Sequence, residues 1–191
     1  MNRIITISRQ FASGGHTIGK ETAKRLGIPC YDEELISAVA DESGLTEKYL
    51  REQGESVDEG LGALLSRSSR EDAALRSYVW SLQRQAILDI ASRERCVIVG
   101  RGADVILRES ADLLRVYIHA DDQFRLRRIR EEYPERKGTP ERRLKQKDER
   151  RRAYYELFTG QSWGEAANFH ITLNSGVLGF DKCVELLCAC Y

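Results

Sequence analysis

The stretch IITISRQFASGGHTIGKETAKRLGIPCYD, residues 4–32, decides the fold of this chain. Its β-branched start predicts a buried strand, and apolar residues recur at helical spacing after a glycine-bearing turn at residues 13–15. Gly27 is a helix stop signal, and residues 28–31 begin a second extended segment. A strand that enters a helix through such a turn aims backbone N–H groups at the space above the sheet, which suits a phosphate.

Composition bounds the class of protein. A chain of 191 residues is long enough for one well-packed α/β domain, and its 31% charged and 41% hydrophobic residues are typical of a soluble globule. Lys plus Arg equals Asp plus Glu at 30 each, which makes nucleic acid a poor candidate partner. Apolar runs too short for a bilayer, no signal peptide and five scattered cysteines predict a cytoplasmic protein without membrane contact.

Apolar segments alternate with helical patterns along the rest of the chain. Because no hairpin signal separates the apolar runs, a mostly parallel sheet with helices on both faces is predicted. The helical stretch between the second and third strands is too long for a simple crossover and predicts a small inserted region. The predicted strands lie near 3–8, 28–31, 96–99, 113–118 and 170–174, and the main helices near 71–93, 121–132, 139–158 and 181–190.

In an open parallel sheet, ligands bind beyond the carboxyl ends of the strands. Polar or glycine residues suited to a site follow four of the five predicted strands. Arginines add two bands, at 125–130 and 142–152, and most of them fit a solvated helix face. Arg150 and Arg152 are the stronger candidates because they lead into Tyr154 and Tyr155, which could cover a base or ribose.

The layout resembles the P-loop nucleoside monophosphate kinases, and the cytidylate kinase-like family in particular. The stretches that carry the resemblance are residues 5–32, CVIVGRGADVIL at 96–107, KDERRRAYYELFTGQSWG at 147–164 and ITLNSGVLGFDKCVELL at 171–187. It implies one three-layer α/β P-loop kinase domain over residues 1–191, with a five-stranded parallel sheet. It also implies an acceptor-binding inserted region at 33–93 and a lid built from helices within 121–158.

The resemblance further implies a function. The expected activity is transfer of the ATP γ-phosphate, with Mg²⁺, to a nucleoside monophosphate or similar small phosphate acceptor. The implied partners are small-molecule nucleotides, and a homo-oligomer is left open. The alternative is a non-catalytic nucleotide- or phosphate-binding regulatory module on the same fold.

Two registers of the phosphate loop compete. The pattern GxxxxGK matches residues 14–20, but it leaves residues 9–13 between strand and loop and places Lys20 inside the predicted helix. The second register is counted from both flanking strands, as the resemblance implies. It starts the loop at Arg9 and puts Gly15 at the position of the P-loop lysine. Thr17 then falls on the hydroxyl that helps to hold Mg²⁺. Strand–loop–helix spacing favours this second register.

The resemblance assigns roles to a set of residues. Ser13, Gly14, Gly15, His16 and Thr17 are expected at the ATP phosphates, with Thr17 also at the metal. Arg9, His16 and Lys20 are the candidates to replace the missing lysine charge. Asp32 and Arg101 are expected to bind the acceptor, and the expected catalytic arginines are Arg125, Arg128, Arg150 and Arg152.

Two departures from the family pattern affect the acceptor. Val99 and Gly102 stand where the family's Asp-Gly-Arg-Asp segment has its two acids, and the arginine expected after the second strand falls near Ala38. The family residues that recognise cytosine therefore do not all have counterparts in this chain, and the identity of the phosphate acceptor stays open.

Overall fold

The computed structural model describes residues 3–32, 70–109, 112–134 and 138–191. This part of the chain forms five strands and seven α-helices, with one 3₁₀ turn at Ala166–Asn168. The strands are β1 (Arg3–Arg9), β2 (Cys30–Tyr31), β3 (Cys96–Val99), β4 (Asp112–His119) and β5 (Ile171–Asn174). The helices are α1 (Gly15–Leu26), α2 (Arg70–Arg93), α3 (Ala103–Ile106), α4 (Asp122–Glu132), α5 (Pro140–Thr159), α6 (Ser175–Leu178) and α7 (Phe180–Ala189).

The strands form one parallel sheet in the order β2-β3-β1-β4-β5. Strand β1 is central. Its neighbours are β3 and β4, and β2 and β5 lie at the two edges of the sheet. This strand order opens a crevice above the carboxyl ends of the central strands, which is where ligands bind in such folds. The predicted five-stranded parallel sheet is confirmed.

Helices cover both faces of the sheet because the isoleucines of β1 point alternately to its two sides. Ile5 and Ile7 are fully buried in one apolar cluster with Ile18 of α1 and Leu187 of α7. On the other face, Ile4 packs in a second cluster with residues of α2 and α3. Two separate clusters on one sheet make the three-layer architecture that the sequence predicts.

The predicted element bounds agree with the structure within about two residues. The two helices expected to form a lid, at 121–132 and 139–158, are α4 and α5, and Thr139 caps α5 by accepting a hydrogen bond from the Arg142 N–H. Their role as a lid stays a prediction, and the name lid helices refers to that expectation. The short helices α3 and α6 were not predicted. Most of the inserted region expected at 33–93 lies outside the described residues. None of the described helices combines the length and hydropathy that a membrane span requires.

Candidate functional site

The bounds of β1 and α1 bear on the two registers of the loop after β1. Strand β1 ends at Arg9 and α1 begins at Gly15, so the connecting loop is residues 10–14. The competing GxxxxGK match would start at Gly14, the N-cap of α1, and its Lys20 lies in the second turn of the helix. A phosphate loop must precede its helix, and these bounds agree with the register that starts at Arg9.

The N-terminus of α1 is open to an anion. Its N-cap, Gly14, has φ 81°, and it offers no side chain to cap the first helical N–H groups. These donors and the helix dipole favour a negatively charged group at this end. Glycine is required here because a Cβ on Gly14 would also overlap the ring of Phe180.

Ser13 supports the loop from inside the fold. Its hydroxyl donates to the carbonyl oxygens of Gln10 at 2.9 Å and Ile118 at 3.2 Å, and its own carbonyl accepts from the Ser175 hydroxyl at 2.5 Å. Ser13 is fully buried. These contacts fix the loop to β4 and α6, so its backbone N–H groups keep one geometry.

Both lid helices bind the loop backbone directly. Asp148 of α5 accepts a 2.7 Å hydrogen bond from the Phe11 N–H, and its other carboxylate oxygen pairs with Arg125 of α4. Arg151 donates to the Arg9 carbonyl at 3.2 Å. Arg128 donates to the Ala12 carbonyl, also at 3.2 Å. Charged groups of α4 and α5 are thus positioned within a few ångströms of the loop.

A cavity of about 370 Å³ lies between the loop, the carboxyl end of β3 and the lid helices. That volume falls in the range of small-molecule sites. Among the described residues that line it, seven are lysine or arginine and one is an acid, Asp32. The cations are Arg9, Lys20, Arg101, Arg128, Lys147, Arg150 and Arg151. In a chain of zero net charge, this concentration of positive charge indicates a polyanionic ligand.

Arg101 is one of the two buried cations of this set, together with Arg128. It has φ 59° and sits between Gly100 and Gly102, which also have positive φ. Its guanidinium lies 5.2 Å from the ring centroid of Tyr154, so the ring face holds it in place. Burial lowers the pKa of Arg101 below its ordinary value, and nearby Arg151 acts in the same direction. An anion bound here would offset the cost of holding two guanidinium groups in a partly dry site.

His16 and Lys20 of α1 meet Asp32 at the edge of the cavity. The His16 Nε2 atom lies 3.0 Å from the Asp32 carboxylate, and the Lys20 Nζ atom lies 3.6 Å from the same oxygen. In the motif the hydroxyl residue directly follows the lysine, so His16 occupies that position and Thr17 lies one residue further. The assignment of Thr17 to Mg²⁺ stays a prediction.

Most of the residues expected at the site come together. Three do not line the cavity: Ser13, which supports the loop, Arg125, which is held by Asp122 and Asp148, and Arg152, whose guanidinium faces Trp163 at 6.0 Å. The ten that do are Arg9, Gly14, Gly15, His16, Thr17, Lys20, Asp32, Arg101, Arg128 and Arg150.

Sequence reasoning missed Lys147 and Arg151, which also line the cavity. With Arg150 and Tyr154 they are spaced three and four residues apart, and therefore share one face of α5. That periodicity was the available signal. The same helix phase turns Arg152 away from the cavity.

The two tyrosines expected to cover a base have structural hydroxyl partners. Tyr154 donates to the Gln83 side chain at 2.8 Å, and Tyr155 donates to the buried carboxylate of Asp104 at 2.7 Å. These bonds hold α5 against α2 and α3. Both tyrosines also contribute to the lining of the cavity, although Tyr155 is only 3% exposed.

The fold and the loop define the P-loop kinase class of α/β proteins. The chain belongs to the cytidylate kinase-like family, whose model matches residues 4–177. A similar crystal structure is that of an uncharacterized protein from Eubacterium ventriosum, with 23% identity, a TM-score of 0.74 and coverage of 97% of this chain and 96% of that one.

Two kinases share the fold. Shikimate kinase from Bacteroides thetaiotaomicron is 16% identical, with a TM-score of 0.56 over 97% of this chain and 96% of that one. A gluconokinase from Sinorhizobium meliloti is 15% identical, with a TM-score of 0.55 over 97% of this chain and 89% of that one. No curated protein sequence matches the chain.

Proposed function

We propose that this protein is an ATP-dependent phosphotransferase that moves the γ-phosphate to a nucleoside monophosphate or a similar small phosphate acceptor. The observation that carries the proposal is the charge of the cavity, where seven cations and one acid among the described residues surround the open N-terminus of α1. ATP and a phosphorylated acceptor together bring more negative charge than any single small anion. Membership of the cytidylate kinase-like family agrees with this choice.

The arrangement suits the demands of phosphoryl transfer. The reaction needs positioned phosphates and positive charge at the transferring group, with little covalent help from the protein. The backbone of residues 13–17 would hold the ATP phosphates at the helix N-terminus. Arg101, just after β3, would bind the acceptor phosphate, and Arg150 would meet the transferring group from α5. Arg128, whose guanidinium is paired with Glu132, lines the cavity from α4.

The oxygen donors at the cavity fit Mg²⁺. This ion keeps several waters in kinase sites and takes one or two protein ligands besides the substrate phosphates. The Thr17 hydroxyl and the Asp32 carboxylate both line the cavity and would hold it. When bound, the ion neutralises charge on the phosphate oxygens.

Arg125 is proposed to act on the loop and not on the substrate. It is 4% exposed and bound by Asp122 and Asp148, whose negative charges offset its own. It also donates to the Phe11 carbonyl at 3.4 Å. Its role is therefore to hold the loop against the lid helices. For Arg152, whose guanidinium faces Trp163, no part in transfer is proposed.

The test is acceptor-dependent formation of ADP from ATP and Mg²⁺ with CMP, UMP, AMP and dCMP supplied one at a time. The proposal expects turnover with at least one acceptor, and loss of most of it in R150A but not in R152A. The two arginines lie two residues apart on α5, and only Arg150 lines the cavity. Intact ATP binding without ADP formation on any acceptor would overturn the proposal.

One observation favours a second candidate, a non-catalytic nucleotide-binding module. Gly15 stands at the position of the P-loop lysine, and Val99 and Gly102 stand at positions where the family carries acids. A protein that lost transfer chemistry but kept its phosphate site would show this pattern. Calorimetry with ATP and with CMP separates the candidates, because the module would bind nucleotide and give no turnover.

A further inference from the structure

The Arg9 side chain occupies the space that a side chain at position 15 would need. A Cβ added to Gly15 would lie 2.6 Å from the Cβ and 3.0 Å from the Cγ of Arg9. Real Cβ atoms do not approach other carbons so closely, so a side chain at position 15 requires the Arg9 stem to move. The stem of Arg9 therefore passes through the volume in which a P-loop lysine would begin.

The far end of Arg9 reaches into the cavity. Its guanidinium lies against Gly100, where an added Cβ would overlap the Nη1 atom, and Arg9 is one of the lining residues. Gly100 has φ +87° and directly follows β3. The charge of Arg9 thus lies between the phosphate loop and the carboxyl end of the neighbouring strand, beside Arg101.

The other two candidates for the lysine charge are placed differently. His16 and Lys20 both contact the Asp32 carboxylate, which offsets positive charge on them. Their side chains are also exposed, at 49% for His16 and 57% for Lys20, so water screens them further. Arg9 is the last residue of β1, directly before the loop, and it is half-buried. A charge acts more strongly on a phosphate there than at an exposed position.

We propose that Arg9 and Gly15 exchange the two roles of a conventional phosphate loop. A conventional phosphate loop, GxxxxGK, begins with glycine and ends with lysine. In this chain the aligned loop begins with Arg9 and ends with Gly15. Arg9 supplies the positive charge for the ATP phosphates from the first position, and Gly15 leaves room for its stem. A guanidinium binds two phosphate oxygens through a fixed planar fork, whereas an ammonium acts as a compact point charge. The inference rests on the proposed function only in taking ATP as the ligand.

The first experiment measures phosphate affinity without turnover. Calorimetric titration with ATP·Mg²⁺ and with tripolyphosphate should show binding weakened at least tenfold in R9A and less in R9K. R25A is the matched control, because Arg25 lies in the last turn of α1 and pairs with Glu21 and Asp181, away from the cavity. Affinity of R9A within twofold of wild type for both ligands would overturn the proposal.

The second experiment tests the exchange itself. G15K should lose ATP affinity, because the new side chain collides with Arg9, whereas the double variant R9G/G15K should recover at least tenfold over either single variant. R9G/G15A should likewise be more stable to urea than G15A alone, because glycine at position 9 removes the Cβ with which the new Cβ collides. Additive losses in the double variants would contradict the exchange.

The two proposals fail separately. If wild type binds ATP without turnover and R9A loses that binding, the transferase proposal fails and the role of Arg9 stands. If turnover is present and R9A keeps both affinity and rate, Arg9 does not carry the charge and the transferase proposal stands.

Discussion

Asp148, in the middle of lid helix α5, accepts a 2.7 Å hydrogen bond from the backbone N–H of Phe11 in the phosphate loop. Its second oxygen pairs with Arg125 of α4, which is nearly fully buried. One carboxylate therefore joins the loop and both lid helices. The position of the lid and the shape of the loop depend on the same side chain.

Replacing Asp148 should destabilise the whole domain. D148A removes one of the two carboxylates that pair with the buried Arg125 among the described residues and leaves the Phe11 N–H without its acceptor, so we expect a loss of about 2–4 kcal/mol of unfolding free energy. D148N keeps an acceptor and should lose less. Urea unfolding measures both. E149A is the control, because Glu149 is exposed and its pair with Lys145 spans 3.9 Å, so a change within about 0.5 kcal/mol is expected. Equal stability of D148A and E149A would contradict the joint role of Asp148.

The two glycines at the ends of α1 should respond differently to alanine. Both have positive φ, 81° for Gly14 and 66° for Gly27, but only Gly14 is crowded, by Phe180 and Arg128. G27A should cost about 1–2 kcal/mol of stability from backbone strain alone and leave ATP affinity unchanged. G14A should also lose ATP affinity, because the loop must shift. Urea unfolding and ATP titration of the two variants make the comparison, and equal ATP affinity in both would argue against phosphate binding at this helix end.

Arginines on α5 should differ according to the face they occupy. R150A and R151A remove charges that line the cavity, so each should weaken ATP or acceptor binding about 10- to 100-fold, the worth of a charged hydrogen bond. R152A should stay within about twofold, since its guanidinium faces Trp163. Titration of each variant with ATP and with CMP measures the affinities and so ranks the three arginines. An effect of R152A as large as that of R150A would place the ligand elsewhere.

The pH dependence of the unfolding free energy should report the protonation of the buried Asp104 carboxyl group. Burial raises the pKa of Asp104 above its ordinary value of 3.8, and the hydrogen bond from Tyr155 acts in the opposite direction. A raised pKa in the folded state means that the native protein binds the proton more tightly than the unfolded chain does. The contribution of Asp104 is therefore fully present below pH 3.8 and is lost as pH rises through the folded-state pKa.

The isosteric variant D104N isolates this contribution, because asparagine keeps an acceptor for Tyr155 and does not titrate. The stability of wild type relative to D104N should increase as pH is lowered from 7 toward 4.5. Parallel urea unfolding at several pH values measures the difference. A difference that shrinks on acidification would mean that Asp104 has a lowered pKa.

The fold could be predicted because the sequence patterns that encode it are local. The isoleucines of β1 are placed on both faces of a buried strand, and Thr139 before Pro140 gives the start of α5 that the structure shows. Helix α3 was missed because four residues are too few to show a helical period. Its position depends on packing beneath α2, which no local pattern records.

The candidate site could be predicted only in outline. The sequence shows that arginines precede Tyr154, but not that Arg125 is neutralised by Asp148, 23 residues away and on another helix. Nor does it show that the Arg9 stem fills the space beside Gly15, since that contact depends on the loop geometry. The charge of a residue is visible in a sequence, whereas the partner that offsets it is set by tertiary packing.

Transfer of the labelled γ-phosphoryl group tests the proposed activity most directly. The protein is incubated with γ-labelled ATP, Mg²⁺ and CMP, UMP, AMP or dCMP, and the products are separated by charge. We expect label in the nucleoside diphosphate of at least one acceptor, with the rate reduced about 10- to 100-fold in R150A and unchanged in R152A. Label that stays on ATP or appears only as inorganic phosphate with every acceptor, although ATP binds, would contradict a phosphotransferase.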